Sequence, residues 1–213
     1  MKKATKLIHA GRHAATPPET VNLPVARAST VLFDSLAALA ETQKRFDAGE
    51  RIATYGIVNM PQRNAFEELV CALEGGHRAV TVPSGLAAVA VAIMAAVKAG
   101  DHVLMVDSVY GPTRHFCDRT LAKFGVATTY YDPLASGEDV AALMRPETTV
   151  VYVESPGSLT FEVQDIPAIA KAAHAKGAFV IADNAWATGL YCPVMEHGVD
   201  LVVQPATKYL GGH

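Results

Sequence analysis

Three cysteines, Cys71, Cys117 and Cys192, are odd in number and lie far apart in a chain of 213 residues. That spacing supports neither a disulfide framework nor a zinc site, so buried, reduced thiols are expected. No long run of lysine and arginine occurs, and a net charge of -3 with a pI near 6.2 leaves no electrostatic footprint for nucleic acid or an anionic membrane. The apolar stretch from Val89 to Val97, within Gly85 to Gly100, is too short to span a bilayer. The opening residues, Met1-Lys2-Lys3-Ala4-Thr5-Lys6-Leu7-Ile8-His9, are basic but lack the apolar segment of a signal peptide, which predicts a cytoplasmic protein. No Gly-x-Gly-x-x-Gly follows a strand-like run, and Gly211-Gly212 comes after Lys208, the reverse of a P-loop, so dinucleotide binding is not expected. His9 and His13 have the i, i+4 spacing of a metal pair but neither the intervening glutamate nor a third ligand, so no metal site is expected. Small molecules and copies of itself are the partners that remain.

What is present is enough apolar residue, 50%, for a sizeable core. Residues 1 to about 60 carry Pro17, Pro18 and Pro24 without sustained periodicity, apart from a short helix over 35–47, and read as an extended arm. After Pro61 the spacing of Phe66, Leu69, Val70 and Leu73 predicts an amphipathic helix stopped by Gly75-Gly76, where a core domain of residues 61–213 begins. Strands are predicted at 79–82, 102–106, 127–131, 149–153, 178–182 and 201–204. Helices are predicted at 86–98, 113–124, 137–144 and 166–176, with a short turn at 194–197. This alternation calls for an α/β fold with a mostly parallel sheet covered by helices on both faces.

The strand over 200–204 delivers Lys208 to the sheet's carboxyl edge, where α/β ligand sites form. The strand over 178–182 ends on Asp183. A lysine and an aspartate at neighbouring strand ends suit pyridoxal 5'-phosphate, whose aldehyde takes an amine and whose pyridinium nitrogen needs a carboxylate. Taken alone, Asp183 is equally a helix cap and Lys208 a solvated surface lysine. Pro83-Ser84-Gly85-Leu86-Ala87 precedes an alanine-rich helix. Ser84 can simply cap that helix, or the free amides of Gly85 and Leu86 can hold a phosphate. Tyr110, on a loop at the same edge before Gly111-Pro112, can stack on a ring or merely pack.

Asp183-Asn184-Ala185-Trp186 together with Ala206-Thr207-Lys208-Tyr209-Leu210-Gly211-Gly212-His213 resembles the Cys/Met-metabolism family of pyridoxal-phosphate enzymes. Within it, Glu154-Ser155-Pro156-Gly157-Ser158-Leu159-Thr160-Phe161-Glu162-Val163 and Trp186 are most similar to the bacterial cystathionine β-lyase branch. The resemblance covers nearly the whole chain. It implies the major domain of fold type I, the aspartate-aminotransferase-like fold, with an N-terminal arm that reaches a neighbouring subunit of a dimer or tetramer. It implies that Lys208 and Tyr110 are catalytic, that Asp183 faces the ring nitrogen, that Tyr110 stacks on the ring, and that Gly85, Leu86, Thr207 and Tyr55 serve the phosphate. The implied activity is carbon-sulfur β-elimination from L-cystathionine, giving homocysteine, pyruvate and ammonia, a step of methionine biosynthesis. The γ-synthase, γ-lyase and sulfhydrylase chemistries of the same family are the alternatives, and a truncated, non-catalytic chain is another. Family members continue beyond the lysine with a further strand and a second domain carrying a carboxylate-binding arginine. Two positions depart from the family pattern: Tyr55-Gly56-Ile57 keeps the arm's tyrosine and loses its arginine, and Pro205 stands where many relatives have a hydroxyl residue.

Overall fold

The computed structural model describes residues 2–11 and 23–211. His13, Pro17, Pro18, Gly212 and His213, all used above, lie outside the described residues. The chain divides after Thr81 into two compact units, Met1–Thr81 and Val82–His213.

The first unit holds α1 (Lys3–His9), α2 (Leu36–Asp47) and α3 (Pro61–Glu74). The expectation of an extended arm is corrected at its start, where α1 is helical and packs on α3. Gly11 lets that approach occur, since a Cβ there would lie 2.2 Å from the Ala65 carbonyl oxygen. Ser35 caps α2 by accepting from the Ala38 amide at 3.1 Å. Pro61 opens α3, and Gly75, at φ 80°, closes it in the left-handed conformation. Glu67, 4% exposed, is neutralised by Arg63 at 2.8 Å, and it accepts from the Thr81 amide and hydroxyl at 2.9 and 3.0 Å. Burial raises its pKa, but these hydrogen bonds prevail and hold the carboxylate below its ordinary range. The strand predicted at 79–82 is therefore absent. Thr81 bonds to Glu67 instead of to a neighbouring strand, and these residues pair with no strand among those described. The helix expected to open the core domain also falls in this first unit.

The second unit is built from α4 (Gly85–Ala96), β1 (His102–Val106), α5 (Gly111–His115), β2 (Ala127–Tyr131), α6 (Gly137–Leu143), β3 (Thr148–Glu154), α7 (Ile166–Ala175), β4 (Phe179–Asp183), α8 (Thr188–Tyr191) and β5 (Leu201–Val203). The five strands are all parallel, in the order β2-β1-β3-β4-β5. Val103 to Val106 and Val150 to Val153 are essentially without solvent contact, as expected of central strands covered on both faces. The helix predicted over 113–124 is broken into α5, a π turn at Phe116–Thr120 and a 3-10 turn at Leu121–Phe124. α6 starts with a capping box between Ser136 and Asp139, and Asp165 caps α7. Buried His102, on β1, is held at 2.8 Å by Thr129 of β2 and by Thr148 of β3, so its ring ties three strands together.

The direction of this sheet positions the site. β1 is followed in sequence by β2 on one side, and the chain then crosses back to β3 on the other. The strand order thus reverses between β1 and β3, and ligands of open α/β sheets bind outside the carboxyl ends at such a point.

Candidate functional site

Four strands end on the same edge and feed it with side chains. β1 runs out through Asp107 to Tyr110, β3 ends on Glu154, β4 on Asp183, and β5 leads through Pro205 to Thr207 and Lys208. Asp183 pairs with Glu154 on one side and Val203 on the other. Residues in register on parallel strands project to the same face, so the two carboxyl groups are neighbours.

Asp183 is 8% exposed, and its Oδ1 accepts from the Ala185 amide at 3.0 Å. Burial pushes its pKa up to about 6 despite that hydrogen bond. Glu154 is partly buried and accepts from the Tyr110 amide at 2.8 Å. Burial first, and the charge of Asp183 second, push Glu154 up to about 8, against the Tyr110 hydrogen bond. Neither carboxylate forms an ion pair with a lysine, arginine or histidine among the described residues. A cationic ring nitrogen at Asp183 would supply the missing counter-charge.

Across the edge, Ser84 accepts from the Ala87 amide at 3.1 Å through its hydroxyl and from the Ala88 amide at 3.0 Å through its carbonyl. The amides of Gly85 and Leu86, at the first turn of α4, have no intrahelical acceptor and carry the positive end of that helix. The capping reading of Ser84 is met, and that cap leaves the first two amides of the helix without an intrahelical partner. Gly85 sits against Pro205, where an added Cβ would lie 2.8 Å from the proline Cβ. This contact, closed to any residue larger than glycine, brings the start of α4 beside the turn that carries Thr207 and Lys208. Pro205, a departure from the family pattern, is thus a packing surface for the helix whose amides are free.

Lys208 and Thr207 are exposed, and the Lys208 amide closes a turn onto the Pro205 carbonyl at 2.9 Å. Tyr110 is 46% exposed at the start of α5. A hollow lined by Leu86, Gly111, Pro112, His115, Phe116 and Thr120 opens beside these elements and meets the expected site residues at Leu86. Tyr55 belongs to the first unit, where its hydroxyl accepts from Ser29 at 3.2 Å. Ile57, standing where the family has arginine, is exposed, and its carbonyl accepts from Arg63.

The three stretches that carried the resemblance meet in an aromatic row. Trp186 packs against Phe161 at 5.2 Å between ring centroids and, edge to face, against Tyr209 at 5.8 Å. Gly157 lies against Ser108, where a Cβ would fall 2.3 Å from the hydroxyl oxygen, and the Ser158 amide bonds to the Ser108 carbonyl at 2.8 Å. The loop after β3 is thus stitched to the loop that carries Tyr110. Glu154 was not among the expected site residues. The signal was present, because a carboxylate ending an apolar strand run is the same feature that singled out Asp183.

The model of the family "Cys/Met metabolism PLP-dependent enzyme" matches residues 4–213. A putative cystathionine beta-lyase of Rhizobium johnstonii is 46% identical over 98% of this chain and 51% of its own length. Cystathionine beta-lyase MetC of Escherichia coli K12 is 40% identical over 100% of this chain and 53% of its own length. Among solved structures, the cystathionine gamma-lyase of Lactobacillus plantarum complexed with L-serine superposes with a TM-score of 0.87, at 32% identity, over 100% of this chain and 52% of that one. The chain spans about half the length of the relatives it matches.

Proposed function

Because the chain belongs to the Cys/Met metabolism family of PLP-dependent enzymes, we propose that it is the cofactor-bearing part of a carbon-sulfur β-lyase acting on L-cystathionine. The observation that carries this reading is the meeting of Asp183, Trp186, the 154–163 loop and the Lys208 turn at one sheet edge. When bound, the cofactor withdraws electrons from the α-carbon of an amino acid joined to it. Lys208 supplies the amine that anchors the cofactor and the base that takes the substrate's α-proton. Asp183 holds a proton on the ring nitrogen by charge. Tyr110 covers the ring, and the amides of Gly85 and Leu86, with the Thr207 hydroxyl, receive the phosphate. Tyr55 adds to that phosphate site from a neighbouring subunit of a homo-oligomer.

The odd number and wide spacing of Cys71, Cys117 and Cys192 suit a reducing compartment, the cytoplasm. Among the described residues no helix is long and apolar enough to cross a membrane.

Homocysteine and pyruvate as the products of cystathionine with the full-length enzyme, and turnover and visible absorbance lost together in its Lys208→Ala variant, are the expected result. A second reading, γ-elimination with the same lysine and aspartate, is favoured by the likeness to the Lactobacillus gamma-lyase. Cysteine and 2-oxobutyrate as the main products would establish it instead.

A further inference from the structure

The hydrogen bond from the Tyr110 amide to Glu154 crosses the point where the strand order reverses. It joins the loop after β1 to the end of β3, the two walls of the crevice in which the cofactor is placed above. We propose that Glu154 is a positioning residue of this site: it stores a proton so that Asp183 is the crevice's single anion, and it fixes Tyr110 through the backbone. The inference rests on the cofactor reading for the role of Asp183, but its own two halves are visible in the protein without cofactor.

The first half follows from the neighbouring carboxyls. Glu154 and Asp183 are in register on adjacent strands and neither is paired with a cation among the described residues, so both cannot ionise cheaply. Among the described residues, the titratable groups facing Glu154 are Asp183 on β4 and the Tyr152 phenol on its own strand, which burial keeps protonated well above its ordinary range. With Glu154 pushed up to about 8 and Asp183 to about 6, neutral pH finds the proton on Glu154 and the charge on Asp183. Two carboxyls in one crevice thereby take different roles. A second charge beside Asp183 would draw the ring nitrogen's proton between two acceptors, and a neutral Glu154 prevents this.

The second half follows from how firmly Glu154 is held. Its amide donates to Gln164 Oε1 at 3.1 Å, Gln164 Nε2 donates to the Tyr131 hydroxyl at 2.9 Å, and that hydroxyl donates to the Tyr152 carbonyl at 3.3 Å. Gln164 and Tyr131 are buried, so this chain of hydrogen bonds is anchored in the core. Tyr110, nearly half exposed, gains its placement from the one end of the chain that reaches the surface.

The test uses the intact protein freed of cofactor, with Glu154→Gln and Glu154→Ala compared against wild type. Glutamine keeps an acceptor without a titrating proton, and alanine removes both. In wild type, the infrared band of a protonated carboxyl should vanish between about pH 7 and pH 9, and in Glu154→Gln this step should be missing. Hydrogen exchange at the Tyr110 amide should be as slow in Glu154→Gln as in wild type and roughly tenfold faster in Glu154→Ala, the factor set by one ordinary hydrogen bond. Unchanged circular dichroism will show that each variant is folded, and a Glu154→Leu variant replaces alanine if that one is not. A carboxyl step that persists in Glu154→Gln, or Tyr110 exchange that is the same in all variants, overturns the proposal. Failure of pyridoxal phosphate to bind would count against the cofactor reading and leave both of these measurements intact.

Discussion

Asp183 is the residue at which stability and function pull apart. Its burial disfavours the ionised form, and the Ala185 amide only partly offsets this. The folded state therefore binds the proton more tightly than the unfolded chain. The contribution is favourable below the ordinary carboxylate range and is lost as pH rises through about 6. Ionised Asp183 then costs the cofactor-free fold on the order of 3 kcal/mol at neutral pH. Asp183→Asn keeps the acceptor for Ala185 and removes the charge. It is expected to stabilise the cofactor-free protein, with a gain that grows from about pH 4 to about pH 6 and then levels off in urea unfolding, while turnover of the loaded enzyme falls sharply because an amide cannot hold the ring proton by charge. A gain independent of pH would show that burial does not raise the proton affinity of Asp183, and unchanged turnover would reduce it to a helix cap. The positions of Asp183 and Lys208 were legible in the sequence because Asp183 closes an apolar run and Lys208 follows one within a short turn. Glu154 closes such a run too, but its pairing with Asp183 depends on β3 and β4 being neighbours, and strand order is not written in local sequence.

At the scale of elements, the inner strands β1, β3 and β4 were readable from their apolar runs because a strand buried on both faces has little choice of composition. Helices with strong caps, such as α2 behind Ser35 and α6 behind Ser136, were readable for the same local reason. The failures are tertiary. The 79–82 run lost its hydrogen bonds to a buried glutamate fourteen residues upstream of Thr81, and α1 has no buried residue to announce it. The Gly85 contact belongs to this scale too, since it fixes α4 against the β5 turn. Gly85→Ala places a methyl group 2.8 Å from a proline carbon that cannot swing away, so the start of α4 must shift. Overpacking of this kind costs about 1–3 kcal/mol. Cofactor affinity, measured by fluorescence titration of the cofactor-free protein, is expected to fall roughly tenfold or more, the equivalent of that cost. Binding as tight as wild type would remove the α4 amides from the phosphate site.

At the scale of the whole molecule, the sheet has two edges, β2 and β5, and β5 is three residues long and incompletely covered, with Leu201 39% exposed. Beyond its carboxyl end Phe161, Trp186 and Tyr209, packed in one row, are all more than half exposed. An unpaired strand edge beside exposed aromatic surface is a template for wrong pairing. The relatives carry about as much chain again as the part matched here. From the family resemblance, that further chain is expected to add a strand and the arginine that grips the substrate's α-carboxylate. Such positioning can lower a barrier by several kcal/mol, on the order of 7. A polypeptide of residues 1–213 alone is therefore expected to self-associate and to release pyruvate from cystathionine no faster than free pyridoxal phosphate does, although Lys208 and Asp183 are both present. Light scattering and a pyruvate assay run beside free cofactor measure the two outcomes. Saturable β-lyase turnover by a monodisperse sample would mean that these 213 residues hold the substrate by themselves.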